Sequence, residues 1–568
     1  VPERPGHPES MSRPLRLALL AVALTGFGPS PRAAILDPAS FKPLVDRFTA
    51  QDQELHGSGI PNAEAWDFLA ANVPLFECPD EEFQKTYWFR WWVYRKHLRK
   101  TPDGWVVTEF KPDVPWAGRH NTINMAAELH LLEGRWLADP RYLDDYSRFW
   151  FGAGKQGSLV YTNWLADGIW KRAAVTGDIS LAVELLDELI AQQHRWDEGK
   201  AGRGVNTVGR RPNGLYFTLD AFDGSEMSIG GHGFRPLTNA AAYGNMRAIS
   251  EIAAAAGREE VAEEFRGRAA RLKELVQAKL WDHERRFFTV LREDESARSD
   301  VRELWGLAPW MFHLPDPGFE TGWRELDDPA GFKAPFGPTF PEQRHPRFTL
   351  SYKGHECQWN GPSWPLATSI TLTALANLLN DYRQAAVGKD LFYETLQTYS
   401  RSQRRRREDG LIVPWIDENL HPYTGDWMAR TMLAKRRENL RLDPGKKPIS
   451  ERGKDYNHST FCDLVISGLV GIRPRHDDRL IVNPLLPAGT WDWFCLDRVP
   501  YHGRILTVIW DRDGTRYNRG AGFQLLVDGQ PAARSEGLTR LESRLAPSRP
   551  APLDTRGERF PDRETVAP

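Results

Sequence analysis

The sequence predicts a mainly helical protein, a ring of helical hairpins followed by a small antiparallel β unit. Three observations carry this. Between residues 81 and 469 about a dozen segments repeat apolar residues every three or four positions, the period of a helix with one buried face. Their connections alternate between tight ones, such as Ala256-Gly257-Arg258, and long ones, such as 196–238 and 328–362. A ring of hairpins gathers such long loops at one mouth. From about Gly471 the texture turns to short alternating or apolar runs (480–482, 491–496, 505–510, 523–527) parted by Asp513-Gly514 and Asp528-Gly529, which is the pattern of strands and turns.

Taken in order, residues 1–34 read as a leader. From Met11, Arg13 and Arg16 precede the apolar run 17–24, and the small pair Ala33-Ala34 follows. Charged start, short apolar stretch and small residues are the order of an export signal, which implies a periplasmic or secreted protein. No later stretch reaches the roughly 20 apolar residues of a membrane span. Residues 35–78 form an N-terminal extension. The helical body, 79–470, opens at Pro79-Asp80 with 81–98, strongly aromatic on one face. Further helices are expected at 121–132, 140–151, 159–176, 179–195, 239–256, 259–280, 301–312, 319–326, 364–379, 389–401, 427–440 and 459–469. Residues 471–545 form the β unit, and the Pro- and charge-rich tail 546–568 is expected to be disordered.

Composition narrows function by exclusion. Lys plus Arg number 74 and Asp plus Glu 76 in 568 residues, so no global field favours nucleic acid or an anionic membrane. The four cysteines, Cys78, Cys357, Cys462 and Cys495, contain no C-x-x-C pair; they are disulfide partners in an exported protein or buried thiols. The 22 Trp are the positive hint, because an indole face packs on a pyranose while its N–H meets a hydroxyl.

Two loop segments each carry a carboxylate, Asp223-Gly224-Ser225-Glu226-Met227-Ser228 and Asp417-Glu418-Asn419-Leu420-His421-Pro422-Tyr423-Thr424-Gly425. Between them lies the aromatic turn Gln358-Trp359-Asn360-Gly361-Pro362-Ser363-Trp364-Pro365. Single-displacement cleavage of a glycosidic bond needs a carboxylic acid to protonate the leaving oxygen and a carboxylate to activate water on the opposite face. Glu226 is assigned as the acid, since Gly224-Ser225 permits a tight loop and Met227 and Ile229 are placed to desolvate it; Asp220 and Asp223 compete for the role. Glu418 is assigned as the base, with Asp417 as the neighbouring alternative.

These segments carry a resemblance. Gly224-Ser225-Glu226-Met227-Ser228 resembles the acid loop of trehalases and processing α-glucosidase I enzymes. Glu418-Asn419-Leu420-His421-Pro422-Tyr423-Thr424-Gly425 is similar to the Glu-Asn-Tyr-x-Pro-x-Thr-Gly base segment of bacterial α-glucosidase I relatives. The turn 359–365 is similar to the aromatic turn between them in the same group, which includes mannosylglycerate hydrolases. The three occur in the family's order, and the resemblance covers roughly residues 80 to 470. It implies an (α/α)6 barrel, the six-hairpin glycosidase fold, and inverting hydrolysis of an α-linked sugar. Two departures stand out: Glu226 occupies a place usually held by Asp, and Leu420 replaces a Tyr.

Candidate sugar contacts combine rings with hydrogen-bonding groups: Trp116, Arg119, His120, Asn121, Tyr161, Asn163, Trp164, Asp167, Asp223, Arg235, Gln358, Trp359, Asn360, Trp364, Trp415 and His458. Core packing and helix capping are competing roles for each. No metal or cofactor is expected, for His355-Glu356 and His232 lack the H-E-x-x-H helix. The glycine run 152–157 has dinucleotide-fingerprint spacing but follows a helix, so it reads as a helix-to-helix turn. Two rival functions keep the same barrel: a non-catalytic carbohydrate-binding protein, and a glycoside phosphorylase.

Overall fold

The computed structural model of the protein describes residues 35–54, 56–201, 208–407, 409–439 and 452–546; the expected leader and all but the first residue of the expected tail lie outside them. Two short helices, α1 (Lys42–Gln51) and α2 (Ala65–Asn72), precede α3 (Glu81–His97), α4 (Ala127–Gly134) and α5 (Arg141–Phe151). Then come α6 (Leu165–Thr176), α7 (Ser180–Glu184), α8 (Leu186–Asp197), α9 (Pro236–Ala255) and α10 (Glu259–Leu280). The set ends with α11 (Pro365–Asp381), α12 (Lys389–Ser402), α13 (Met428–Asn439) and α14 (Phe461–Asp463), which runs into a π-helical turn, Leu464–Val470.

Burial separates two layers. Every residue of α4 is buried, as are nearly all of α6, α9 and α11, whereas α5, α10 and α12 bury one stripe. Packing then closes the inner layer: α4 lies against α6, α6 against α9, α9 against the 3-10 turn Ala308–Phe312, that turn against α11, α11 against the π turn, and α14 against α4 again. Outer segments alternate with them along the chain, namely α3, α5, α7 with α8, α10, the 3-10 turn Glu320–Leu326, and α12. This is a six-hairpin (α/α)6 barrel.

The first helix of the ring starts because the Asp80 side chain accepts the Phe83 N–H (3.0 Å), and its ends carry Glu81 and Glu82 at the N-terminus and Arg95, Lys96 and His97 at the C-terminus, as the macrodipole favours. The expectation of one aromatic face is corrected here. Residues 86–97 are all buried, because α1 and α2 cover the side of α3 turned away from the ring. Two expected helices, 301–312 and 319–326, are short 3-10 turns instead. Pro309 removes a backbone donor, and a Cβ on Gly306 would stand 2.2 Å from the Phe287 ring, so the chain there is bent around a close contact. The run 179–195 divides at Leu185 into α7 and α8, and 121–132 begins as two 3-10 turns before α4.

The C-terminal region is antiparallel. A five-stranded sheet orders Leu75–Glu77, Trp493–Tyr501, Arg504–Asp511, Gly522–Val527 and Gln530–Ser535, and a three-stranded sheet joins Ile472–Arg473, Arg479–Val482 and Leu541–Arg544. Its first edge strand comes from the N-terminal extension, in register Leu75 with Asp497. Asp497 fastens that crossing by accepting the Ile35 and Leu36 N–H groups (2.7 and 3.0 Å) and the Thr507 hydroxyl (2.6 Å). Trp491 packs on Phe76, Phe83 and Tyr393, tying sheet to ring. All four cysteines are free thiols.

Candidate active site

The long loops at one mouth of the ring enclose a cavity of about 300 Å³. Its acid-bearing loop leaves the 3-10 turn Asp220–Asp223 through Gly224, whose φ of 71° and closeness to Met125 (3.0 Å from a built Cβ) suit glycine. Beneath it, Asp223 and Arg235 are wholly buried as an ion pair. The same guanidinium donates to Ser225 Oγ (2.7 Å), Ser228 Oγ (3.2 Å), the Gly231 carbonyl (2.5 Å) and Glu303 (3.4 Å). A paired and fully hydrogen-bonded guanidinium is what makes such a buried charge tolerable, and here it fixes the loop from below. Glu226 is the carboxyl left facing the cavity.

Backbone bonds bring the three segments together. Trp359 N–H donates to the Glu226 carbonyl (3.2 Å), and Ser363 and Leu420 exchange two bonds of 3.0 Å each. Trp359 stacks on Trp364 with ring centroids 4.0 Å apart and planes 8° from parallel, while Trp364 Nε1 donates to the Gln358 carbonyl (2.9 Å). Gly361 is obligatory, since a Cβ there would fall 1.8 Å from the Thr349 carbonyl oxygen. In the third segment Asn419 accepts the Ala429 N–H (3.0 Å) and donates to the Glu356 carbonyl (3.0 Å), and Asp417 receives Arg430 Nε (2.7 Å) and the Glu418 N–H (3.0 Å). Leu420 holds the loop twice over, with its side chain buried in the hydrophobic core and its backbone paired with Ser363.

The two facing glutamates sit in different company. Glu226 Oε2 accepts a thiol bond, from Cys357 Sγ at 3.3 Å, and burial pushes its pKa up to about 7. Glu418 is pushed up to about 7 by burial as well, but Arg452 Nη2 lies 3.0 Å from one of its oxygens and 3.1 Å from the other and opposes that rise. Arg452 also binds Glu356 Oε1 (3.1 Å) and lies over the Trp116 ring (5.3 Å). A third carboxyl, Glu109, accepts the Tyr456 hydroxyl and is raised to about 8 by burial, with Glu418 and Glu226 adding to the rise.

Of the expected residues, Glu226, Glu418, Trp116, Tyr161 and Trp359 line the cavity. The others do not. Arg119 and His120 hold Asp103 on the surface (2.7 and 2.6 Å); Asn121 pins the chain by donating to the Phe110 carbonyl (3.0 Å) and accepting the Val114 N–H (2.9 Å). Asn163 donates to the Ser158 carbonyl (2.9 Å), Trp164 is core, and Asp167 pairs with Lys171 (2.6 Å). Asp223 and Arg235 form the buried pair already described, and Asp220 meets His232 (3.1 Å). Gln358 and Trp364 brace the central turn, and the Asn360 carbonyl accepts the Thr349 N–H (3.0 Å). Trp415 lies under Arg430 and Arg405 (4.6 and 5.0 Å), and His458 is buried against Tyr456. The sequence reading missed Glu109, Glu356, Cys357 and Arg452 as wall residues; none lies in a recognisable motif, though Tyr456 falls in a segment, 454–459, that opens the last expected helix of the ring.

Residues 119–459 match the family model described as the mannosylglycerate hydrolase MGH1-like glycoside hydrolase domain. Residues 472–533 match the C-terminal domain of glycosyl hydrolase family 65. Among solved structures, one described as a sialidase is 38% identical, with TM-score 0.81, over 89% of this chain and 45% of its own. This chain thus spans less than half the length of that relative. The GH78 family rhamnosidase of Bacillus sp. GL1 is 16% identical over 77% of this chain and 40% of its own, with TM-score 0.50, a likeness of fold. The GH63 mannosylglycerate hydrolase from Thermus thermophilus, in complex with glucose, is 14% identical over 60% of this chain and 97% of its own, with TM-score 0.44.

Proposed function

The chain belongs to this MGH1-like glycoside hydrolase family of the six-hairpin clan, and from that membership we propose that it hydrolyses an α-linked sugar by inversion, with Glu226 as general acid and Glu418 as general base. The observation that carries the assignment is the single guanidinium at the wall: Arg452 binds Glu418, whereas Glu226 has a thiol for its partner. A base must be ionised and an acid must hold its proton, and the cation favours the ionised form of the carboxyl it touches.

The anomeric carbon lies between the two carboxyls. Glu226, whose pKa raised to about 7 keeps a substantial protonated fraction at neutral pH, gives its proton to the glycosidic oxygen as the C–O bond breaks. Glu418 takes a proton from the water that attacks the opposite face, so the sugar leaves with inverted configuration. Trp116, Tyr161 and Trp359 supply the aromatic walls on which a pyranose packs. A phosphorylase would have to seat a phosphate dianion in a cavity whose guanidinium is already held by two carboxyls, which disfavours that reading. Export rests on the residue order after Met11 and belongs to the same proposal.

The test is release of sugar from a panel of α- and β-linked glycosides, with the first-formed anomer followed by proton NMR. Initial β-anomer from an α-linked substrate is expected. Release of the α-anomer, or binding of glycosides without release, would overturn the reading.

A further inference from the structure

We infer that the sugar held in this cavity is uncharged, and that Glu356 enforces this by occupying the arm of Arg452 that would otherwise receive a sugar carboxylate. The inference rests on reading the cavity as a sugar site and narrows what that site accepts. Four glutamates line the wall: Glu109, Glu226, Glu356 and Glu418. Among the described residues, Arg452 is the one guanidinium or ammonium facing them. Its two ends are taken, Nη1 by Glu356 Oε1 at 3.1 Å and Nη2 by Glu418 at 3.0 Å, its face lies on Trp116, and its Nε is buried out of reach of the cavity.

His355, at the exposed rim, turns its Nδ1 back to its own loop, 3.1 Å from the Cys357 backbone nitrogen and 3.3 Å from the Cys357 carbonyl oxygen. Among the described residues, an acid sugar entering the cavity therefore meets carboxyls and a single guanidinium that already has a carboxylate on each end. The low-dielectric aromatic surroundings strengthen that repulsion. Hydroxyls are served well by the same groups, because carboxylate oxygens accept from them and a protonated carboxyl donates to them. Glu356 has no part in the proton transfers proposed above, and with 8% of its surface exposed it is packed too tightly to swing out of the guanidinium's way.

The experiment measures binding to the full chain by quenching of tryptophan fluorescence, since Trp116 and Trp359 face the cavity. The probes are glucose, mannose, galactose and rhamnose against glucuronate, mannuronate, galacturonate and N-acetylneuraminate. At least one neutral sugar is expected to bind roughly thirtyfold or more tightly than every acid, and Glu356→Gln is expected to narrow that gap roughly tenfold by strengthening the acids. An acid bound as tightly as the best neutral sugar, or no neutral sugar bound at all, overturns the inference; a Glu356→Gln variant with an unchanged gap overturns the role of that residue. Neutral-sugar preference with no turnover of any glycoside sinks the hydrolase reading and leaves this inference standing.

Discussion

The loop around Glu226 and the loop around Glu418 face the same cavity, yet they treat their acidic residues in opposite ways. In the first, the charge pair is spent below the surface: Asp223 takes Arg235, and Glu226, three positions on, is left with a thiol. In the second, Asp417 takes Arg430 below and Glu418 takes Arg452 at the wall. Burial raises both cavity carboxyls alike, so burial alone assigns no roles. Of the two, Glu418 alone touches the Arg452 guanidinium, whose charge favours the ionised form of that carboxyl.

The strongest way to break this comparison is to remove either proton-transfer group. Glu418→Gln and Glu226→Gln should each lower kcat for an unactivated glycoside by about a thousandfold or more while sugar binding persists, as measured by steady-state kinetics and fluorescence titration. Next is Arg452→Met. Without its cation Glu418 protonates more readily, and because the base must be ionised, the acidic limb of the kcat/KM profile should move to higher pH by about one unit, with kcat/KM down about tenfold at pH 6.

A third prediction concerns Glu109, whose folded-state pKa of about 8 lies above its ordinary 4.5. Such a group contributes stability that is fully present below its unfolded pKa and is lost as pH rises through about 8. Glu109→Gln has no such loss, so its stability relative to the parent should improve by about 1–3 kcal/mol between pH 5 and pH 9 in denaturant unfolding. The smallest effect is expected from Cys357→Ala. The thiol bond holds Glu226 down slightly against burial; its loss should raise the acid's pKa and move the alkaline limb of kcat/KM up by a few tenths of a pH unit.

What the sequence disclosed follows the length over which each signal is written. The 22 residues of α10 were legible to the residue because the apolar stripe repeats throughout. The three site segments were legible because turn residues, aromatic rings and a carboxyl stand close together in sequence, and their order matched a family. The strand Leu75–Glu77 is too short for any period to register, and its partner is more than four hundred positions away. Arg235 and Asp223 carried the right chemistry for sugar contact, but only the fold reveals that each satisfies the other below the surface. Arg452, which binds Glu418 and Glu356 at the cavity wall, is an isolated arginine with no motif around it. Long-range ion pairs of this kind leave no local trace.

The central claim, that the proton donor and the water-activating base are Glu226 and Glu418 in that order, is tested most directly by leaving-group dependence. The parent, Glu226→Gln and Glu418→Gln proteins are compared on an α-glycoside with an alcohol leaving group and on the matching α-glycosyl fluoride, whose departure needs little proton donation. The account predicts that Glu226→Gln recovers on the fluoride to within about tenfold of the parent while Glu418→Gln stays about a thousandfold down on both. Equal losses for Glu226→Gln on the two substrates, or recovery of Glu418→Gln on the fluoride, would contradict it.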